Sequence, residues 1–138
     1  MLENKDYCDY ETCVALKELG YKVPTSAYYM PHHKDLIWVS NPFRGGYVTD
    51  CFRSHNSFPK DVMTSNYIDA PTMWEAQKWL REAKEIEVVV LSKGMVGSPY
   101  YYQVYTEDYV VDYNEEYNSY EEALIEGIKA SVKILKEK

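Results

Sequence analysis

The second half of the chain switches between two hydrophobic periods, and the switches mark its elements. Met73, Ala76, Leu80 and Ala83 recur at intervals of three and four, which places them on one face of a helix. Thr72-Met73-Trp74-Glu75 has the form of a capping box, with Thr72 accepting from the Glu75 amide while the Glu75 side chain reaches back; Pro71 just before it suits a helix start. The stretch Glu85 to Tyr113 then reads as strands. Ile86-Glu87-Val88-Val89-Val90-Leu91 is β-branched and almost continuously apolar, and Tyr100-Tyr101-Tyr102-Gln103-Val104-Tyr105 follows after the breaker Gly94 to Pro99, predicting an antiparallel hairpin. Tyr109 to Tyr113, after the polar turn Thr106-Glu107-Asp108, extends it to a three-stranded meander, because so short a connection joins only antiparallel neighbours. Alternation is blurred in all three strands, which predicts that both sheet faces are at least partly covered. Helical spacing returns at Ser119-Tyr120-Glu121-Glu122. Tyr120, Ala123, Leu124, Ile128, Ser131 and Leu135 point one way and Glu121, Glu122, Glu126, Lys129, Lys133 and Lys136 the other, with acids leading and lysines trailing as the helix dipole favours.

The first half is less regular. Tyr10 to Gly20 reads as a short helix capped by Asp9 and stopped by Gly20, with Cys13 and Leu16 inward. Ser26 to Met30 and Leu36 to Ser40 read as strands around the polar bend Pro31 to Asp35, Asn41 to Tyr47 as a turn cluster, and Val48 to Phe52 as a further strand. Arg53 to Asp69 shows no strong period, and so long an irregular segment in a compact domain is more often functional or mobile than inert. The fold class expected is α+β: small antiparallel sheets packed against amphipathic helices, in helix-strand-strand units ending in a C-terminal helix. The whole chain, 1–138, reads as one domain, or as two small subunits of structure, 1–68 and 69–138.

At 138 residues the chain is long enough to bury roughly two thirds of its unfolded surface. An apolar content of 46% with 15% aromatics excludes disorder. The fifteen tyrosines suit core edges and binding surfaces alike, and most are read as structural. No run of eighteen apolar residues and no basic-then-apolar leader is present, so a cytosolic protein without membrane contact is expected. Three cysteines, an odd number, argue against a disulfide framework.

Charge narrows the picture further. A formal net charge of -7 opposes generic nucleic-acid binding. Between Lys93 and Lys129 there is no Lys or Arg, while Glu107, Asp108, Asp112, Glu115, Glu116, Glu121, Glu122 and Glu126 all lie there. Such a stretch serves either as a solvated face that keeps the protein soluble or as an acidic patch that docks a basic partner or imitates nucleic acid. Trp74, aligned with Lys78 and Arg81, sits off the apolar stripe of its helix and belongs either under the irregular segment or on a partner or dimer surface.

Three further constellations bear on chemistry. Cys8 and Cys13, with Cys51 and His55, have the ligand types for zinc, but the first pair is loosely spaced and Cys13 lies on an apolar helix face, so no metal is assigned. His32 and His33 beside Asp35 offer acid-base groups near neutrality, the basis for an alternative reading as a metal- or histidine-dependent hydrolase. No nucleophile elbow, zinc-protease, P-loop or dinucleotide fingerprint accompanies them, and no cofactor is implied. Arg44, Gly45, Gly46 and Tyr47, with Arg53 and Lys34, have the parts for an anionic aromatic ligand such as a small nucleotide: guanidinium for phosphate, open glycine amides and a ring for stacking.

Several phrases carry a resemblance. Ala15-Leu16-Lys17-Glu18-Leu19-Gly20-Tyr21 with Ala27-Tyr28-Tyr29, Ala70-Pro71-Thr72, Ala76-Gln77-Lys78-Trp79-Leu80-Arg81-Glu82, and Tyr117-Asn118-Ser119-Tyr120-Glu121-Glu122-Ala123-Leu124 with Gly127-Ile128-Lys129 are together similar to a family of small accessory proteins carried by phages and integrated elements of gut anaerobes. The similar segments are caps, core faces and a helix end; most of Lys34 to Tyr67 departs from the pattern. The resemblance implies a phage or mobile-element protein acting in the host cytosol, with no catalytic residues to transfer. The function expected is non-enzymatic: holding a host protein, in a defence system for example, or sequestering a small nucleotide-like signal. The apolar strand faces make a homodimer a further expectation.

Overall fold

Asp9 starts the first helix: its carboxylate accepts from the Thr12 amide at 2.8 Å, satisfying one of the donors that a helix N-terminus leaves open. That helix, α1, spans Tyr10–Glu18. It ends where Gly20 adopts φ 104°, which returns the Gly20 amide to the Lys17 carbonyl (3.0 Å) and the Tyr21 amide to the Leu16 carbonyl (2.9 Å). The computed structural model describes residues 3–23, 25–30, 35–38, 67–94 and 99–137. The chain divides into two compact units, Met1–Thr72 and Met73–Lys138. Both combine helix with small antiparallel sheet, so the α+β class read from the sequence is the observed one.

In the first unit α1 is followed by β1 (Ala27–Tyr29), β2 (Ile37–Trp38) and β3 (Ile68–Asp69), ordered β2-β1-β3 with both pairs antiparallel. β3 falls in the stretch that shows no period, because two residues are too few to display one. Cys13 and Leu16 on α1 are buried with Ala27, Tyr29, Ile68 and Ala70. Tyr29 packs edge-on against Tyr10 at 5.6 Å and donates its hydroxyl to the Cys8 carbonyl at 3.0 Å. Cys8 also donates its amide to the Pro71 carbonyl at 3.0 Å, and Tyr7 bridges Thr72, so the two ends of the unit are tied together. The expected strand Val48 to Phe52 and the turn Asn41 to Tyr47 lie outside the described residues, as does Arg53 to Asn66.

The second unit runs α2 (Met73–Lys84), β4 (Glu87–Ser92), β5 (Tyr100–Tyr105), β6 (Val110–Tyr117) and α3 (Tyr120–Lys136), with strand order β4-β5-β6. The meander is therefore as read, but β6 continues four residues past Tyr113. Opposite Tyr101 of β5 stand three residues of β6, Asn114, Glu115 and Glu116, since Tyr102 pairs Tyr113 and Tyr100 pairs Tyr117. This bulge absorbs a polar segment that alternation alone places outside a strand, and edge strands tolerate charges there. Ser119 caps α3 by accepting from the Glu122 amide at 3.1 Å.

Register sorts the side chains onto two faces. Val88, Val104 and Val111 are mutually opposite, as are Val90, Tyr102 and Tyr113, and this face meets α3. α2 packs on α3 and β4, burying Met73, Ala76 and Leu80, with the Gln77 side-chain amide donating to the Val88 carbonyl at 2.9 Å. Glu85 adopts φ 54°, and this left-handed residue lets the Ile86 amide reach the Leu80 carbonyl at 3.1 Å as the chain turns from α2 into β4. On α3 the buried set is Ala123, Leu124, Gly127, Ile128, Ser131 and Val132. Tyr120 and Leu135, read as part of the inward stripe, are exposed and half-buried respectively, and Gly127 and Val132 take their places nearer the centre of the contact. Both sheet faces are partly covered, the helix side more closely, with Val88, Tyr102 and Val104 buried and Val90, Val111 and Tyr113 half-buried. On the other face Glu87, Val89, Leu91, Tyr101 and Gln103 are half-buried, while Val110 and Tyr105 remain 52% and 40% exposed.

Gly127 is where α3 comes closest to the sheet. A Cβ there would fall inside the van der Waals radius of Val88 Cγ1 and lie 3.3 Å from the Tyr102 ring. Ala improves helix propensity by about 1 kcal/mol. Overpacking against a buried β-branched side chain costs about 1–3 kcal/mol and outweighs that gain. Gly127→Ala is therefore expected to lower unfolding stability by up to about 2 kcal/mol in urea titration, whereas Ala at Lys133, exposed on the outer side of the helix, leaves the midpoint unchanged.

Candidate functional site

The face turned away from the helices ends in a rigid, acidic corner. Between β5 and β6 the Thr106 hydroxyl accepts from the Asp108 and Tyr109 amides at 3.2 and 3.1 Å and donates to the Tyr109 carbonyl at 3.0 Å, and the Thr106 amide donates to the same carbonyl at 2.9 Å. One threonine side chain thus satisfies the turn's polar backbone and holds Glu107 and Asp108 in solvent. β6 then carries Asp112 and, in the bulge, Glu115 and Glu116, all exposed, with Glu115 accepting from Tyr117.

Aromatic and apolar surface lies beside these carboxylates. Tyr105 pairs Val110 across the ladder, Asp112 is one pair further along on the same face opposite Gln103, and the Tyr105 hydroxyl donates to Gln103 Oε1 at 2.9 Å, which directs the ring along its own strand toward Gln103. At the far end of the face Lys93 places its ammonium 5.6 Å from the centre of the Tyr101 ring and 3.1 Å from Glu116 Oε2. The surface thus already holds one ammonium between a ring and a carboxylate. Among the described residues Asp108 and Asp112 have no ion-pair partner.

The tyrosines of the opposite face do different work. Tyr102 lies 4.6 Å from Tyr113 and 6.0 Å from Tyr117, ring centre to ring centre, in near-parallel cross-strand contacts beneath α3. Burial pushes the Tyr102 hydroxyl above its ordinary range, with Tyr117, Tyr113, Glu126 and Glu115 adding to the effect. Tyr117 is pushed up to about 12, first by burial and then by its hydrogen bond to Glu115 Oε2 at 3.1 Å. Tyr102 is core, and the half-buried Tyr113 and Tyr117 flank it.

The partner-binding residues read from the sequence divide. Glu107 and Asp108 lie on the β5–β6 turn, and Asp112, Glu115 and Glu116 follow along the edge strand to its other end. Trp74 is 41% exposed but opens α2, the helix beside β4 on the other edge of the sheet. The ligand candidates Lys34, Arg44, Gly45, Gly46, Tyr47 and Arg53 lie outside the described residues, as do His32, His33, Cys51 and His55. Cys8 and Cys13 are both buried free thiols, and Cys13 Sγ donates to the Cys8 carbonyl at 3.5 Å. Burial raises the Cys13 pKa well above the ordinary thiol range, with the charges of Cys8, Asp9 and Asp69 adding, so its metal-binding thiolate form is disfavoured. Among the described residues no group of three or more His, Cys, Asp or Glu side chains could hold a metal ion, and no helix is long and apolar enough to cross a membrane.

Sequence reading missed Tyr101, Tyr105, Val110 and Lys93 as site residues. Odd positions of β5 and even positions of β6 share the open face, a signal present in the sequence but legible only once the register of the bulged pair is fixed. No family model, no curated protein and no solved structure matches the chain.

Tyrosine burial sets an alkaline limit on stability. Unfolded tyrosines lose their protons near pH 10, whereas Tyr117 holds its own to about 12 and Tyr102 higher still, so the folded state binds more protons than the unfolded one above pH 10. The stabilisation is complete below pH 10 and is lost as pH rises toward 12. Urea midpoints measured from pH 8 to 11.5 should fall only above about 10, and Tyr102→Phe should flatten that fall.

Proposed function

We propose that the chain is a non-enzymatic docking protein whose acidic β6 edge binds a basic partner protein. The observation that carries the reading is the coincidence of three features at one place: no Lys or Arg between Lys93 and Lys129, exposed carboxylates at Asp108, Asp112, Glu115 and Glu116, and exposed Tyr105 and Val110 between them. A merely solvated face has no need of exposed apolar side chains. The resemblance to phage and mobile-element accessory proteins adds that the partner belongs to the host and that binding modulates a host process. A homodimer through this edge is a weaker reading, because pairing β6 with a second β6 brings Asp112, Glu115 and Glu116 of both copies together and like charges across a ladder are destabilising. Sequestration of a nucleotide-like signal rests on Arg44, Arg53 and their neighbours and stands as a second reading on sequence grounds alone.

The reading is tested by co-purification from host cells at physiological and at high salt, comparing the wild type with the Asp108→Lys, Asp112→Lys, Glu115→Lys triple variant. Exposed charges are screened over about 8 Å at physiological ionic strength and over about 3 Å at 1 M. A basic protein retained by the wild type, released by salt and absent from the folded variant is the expected result. Identical partners on both proteins would reject the acidic surface.

A further inference from the structure

The geometry points to the manner of that docking, and rests on it: the partner supplies an extended, lysine-bearing segment that adds to the sheet as a fourth strand along β6. Among the described residues β6 pairs with β5 alone and the outer side of β6 has no ladder partner, and ahead of the bulge Val110 to Tyr113 keep regular register and can seat another strand. A strand laid there continues the register of the sheet. On the open face one of its side chains stands opposite Val110 and the next on that face opposite Asp112, two residues apart. The first position favours a β-branched residue against Val110 and Tyr105, and the second a cation against Asp112.

Lysine is selected by what the same face does with its own ammonium. Lys93 sits between the Tyr101 ring and Glu116, combining a cation–π contact with an ion pair. Tyr105 and Asp112, diagonal neighbours on the open face by register, offer a ring and a carboxylate again. Tyr105 is four residues along β5 from Tyr101, about 13–14 Å in a strand, and no Lys or Arg of the Gly94 to Ile128 stretch is available to fill it. A second copy of this chain is the wrong occupant, since its own β6 brings carboxylates to carboxylates. The partner pattern is thus Lys-x-Val or Lys-x-Ile, repeated in an extended segment.

The test uses the full-length protein and an acetylated ten-residue probe of repeated Lys-Thr-Val-Thr, followed by fluorescence anisotropy and by amide hydrogen exchange. Two control probes accompany it, one with Glu in place of Lys and one N-methylated at alternate residues, which keeps the side chains and removes the main-chain donors. Expected are saturable binding of the lysine probe, new protection confined to β6 amides, and at least tenfold weaker binding of both controls. Asp112→Lys should weaken the lysine probe at least tenfold, and the milder Asp112→Asn several-fold with unchanged circular dichroism. Equal binding of the N-methylated probe, or binding without β6 protection, overturns strand addition while leaving acidic docking intact. No binding of the lysine probe at low salt also overturns it, and acidic docking is then judged by the co-purification alone. Protection of β6 that rises with protein concentration without any probe overturns it in favour of a second copy at the edge.

Discussion

The close approach of α3 to the sheet at Gly127 is the constraint on which the second unit depends. With no side chain at 127, the helix backbone lies directly over Val88 and the Tyr102 ring, and Leu124 and Ile128 on either side are fully buried. Each such side chain contributes about 1.5–3 kcal/mol relative to exposure. Ser131, one turn on, is also buried and donates its hydroxyl to the Gly127 carbonyl at 2.9 Å, so the polar side chain buried on α3 at this contact is satisfied within the helix. A larger residue at 127 would lift α3 and open the layer along its length.

Committing α3 and α2 to one face decides what the other face can be. Val88, Tyr102 and Val104 take the helices, which leaves Tyr101, Gln103, Tyr105, Val110 and Asp112 on the opposite side of the same strands. The period of two makes this unavoidable: a residue moved from one face to the other drags its whole strand with it. The bulge opposite Tyr101 then turns the end of β6, and Glu116 reaches Lys93 on the neighbouring connection, closing one end of the open face with an ion pair. The Thr106 turn closes the other. Between the turn and the bulge, Val110 to Tyr113 keep regular register with β5.

Local signals carried most of the fold into the sequence. Asp9 and Gly20 bound α1, Ser119 starts α3, and the apolar runs at Ile86 and Tyr100 become β4 and β5, because caps, turns and periodicity act over three or four residues and need no distant partner. What stayed hidden depends on long-range pairing. The two-residue β3 exists only through its bonds to β1, the last turn of β6 exists only through the bulge against β5, and the grouping of Tyr105 with Asp112 follows from register rather than from spacing. Candidate site residues were legible to the same degree. Acidic residues of one contiguous stretch were readable as a group, while Trp74, drawn from a different part of the chain, proves to sit beside the opposite edge of the sheet.

Acidic surfaces are common, and charge alone would not separate a docking strand from a soluble face. An exposed ion pair contributes only about 0–1 kcal/mol, so even several carboxylates on β6 cannot hold a partner by themselves. They speed encounter and penalise wrong partners, above all another copy of the same strand. Binding strength has to come from groups that lose water on contact, and the edge offers two kinds: the exposed Val110 and Tyr105 side chains, and the row of backbone donors and acceptors beyond them. Natural edge strands are usually blunted by charges, prolines, bulges or short length. β6 has no lysine or proline, its bulge lies beyond Tyr113, and its carboxylates repel only what is itself acidic. In the docking proposed, the same charges that protect the strand from its own copies leave it open to a basic one, and a protection so selective would distinguish a binding edge from a defended one.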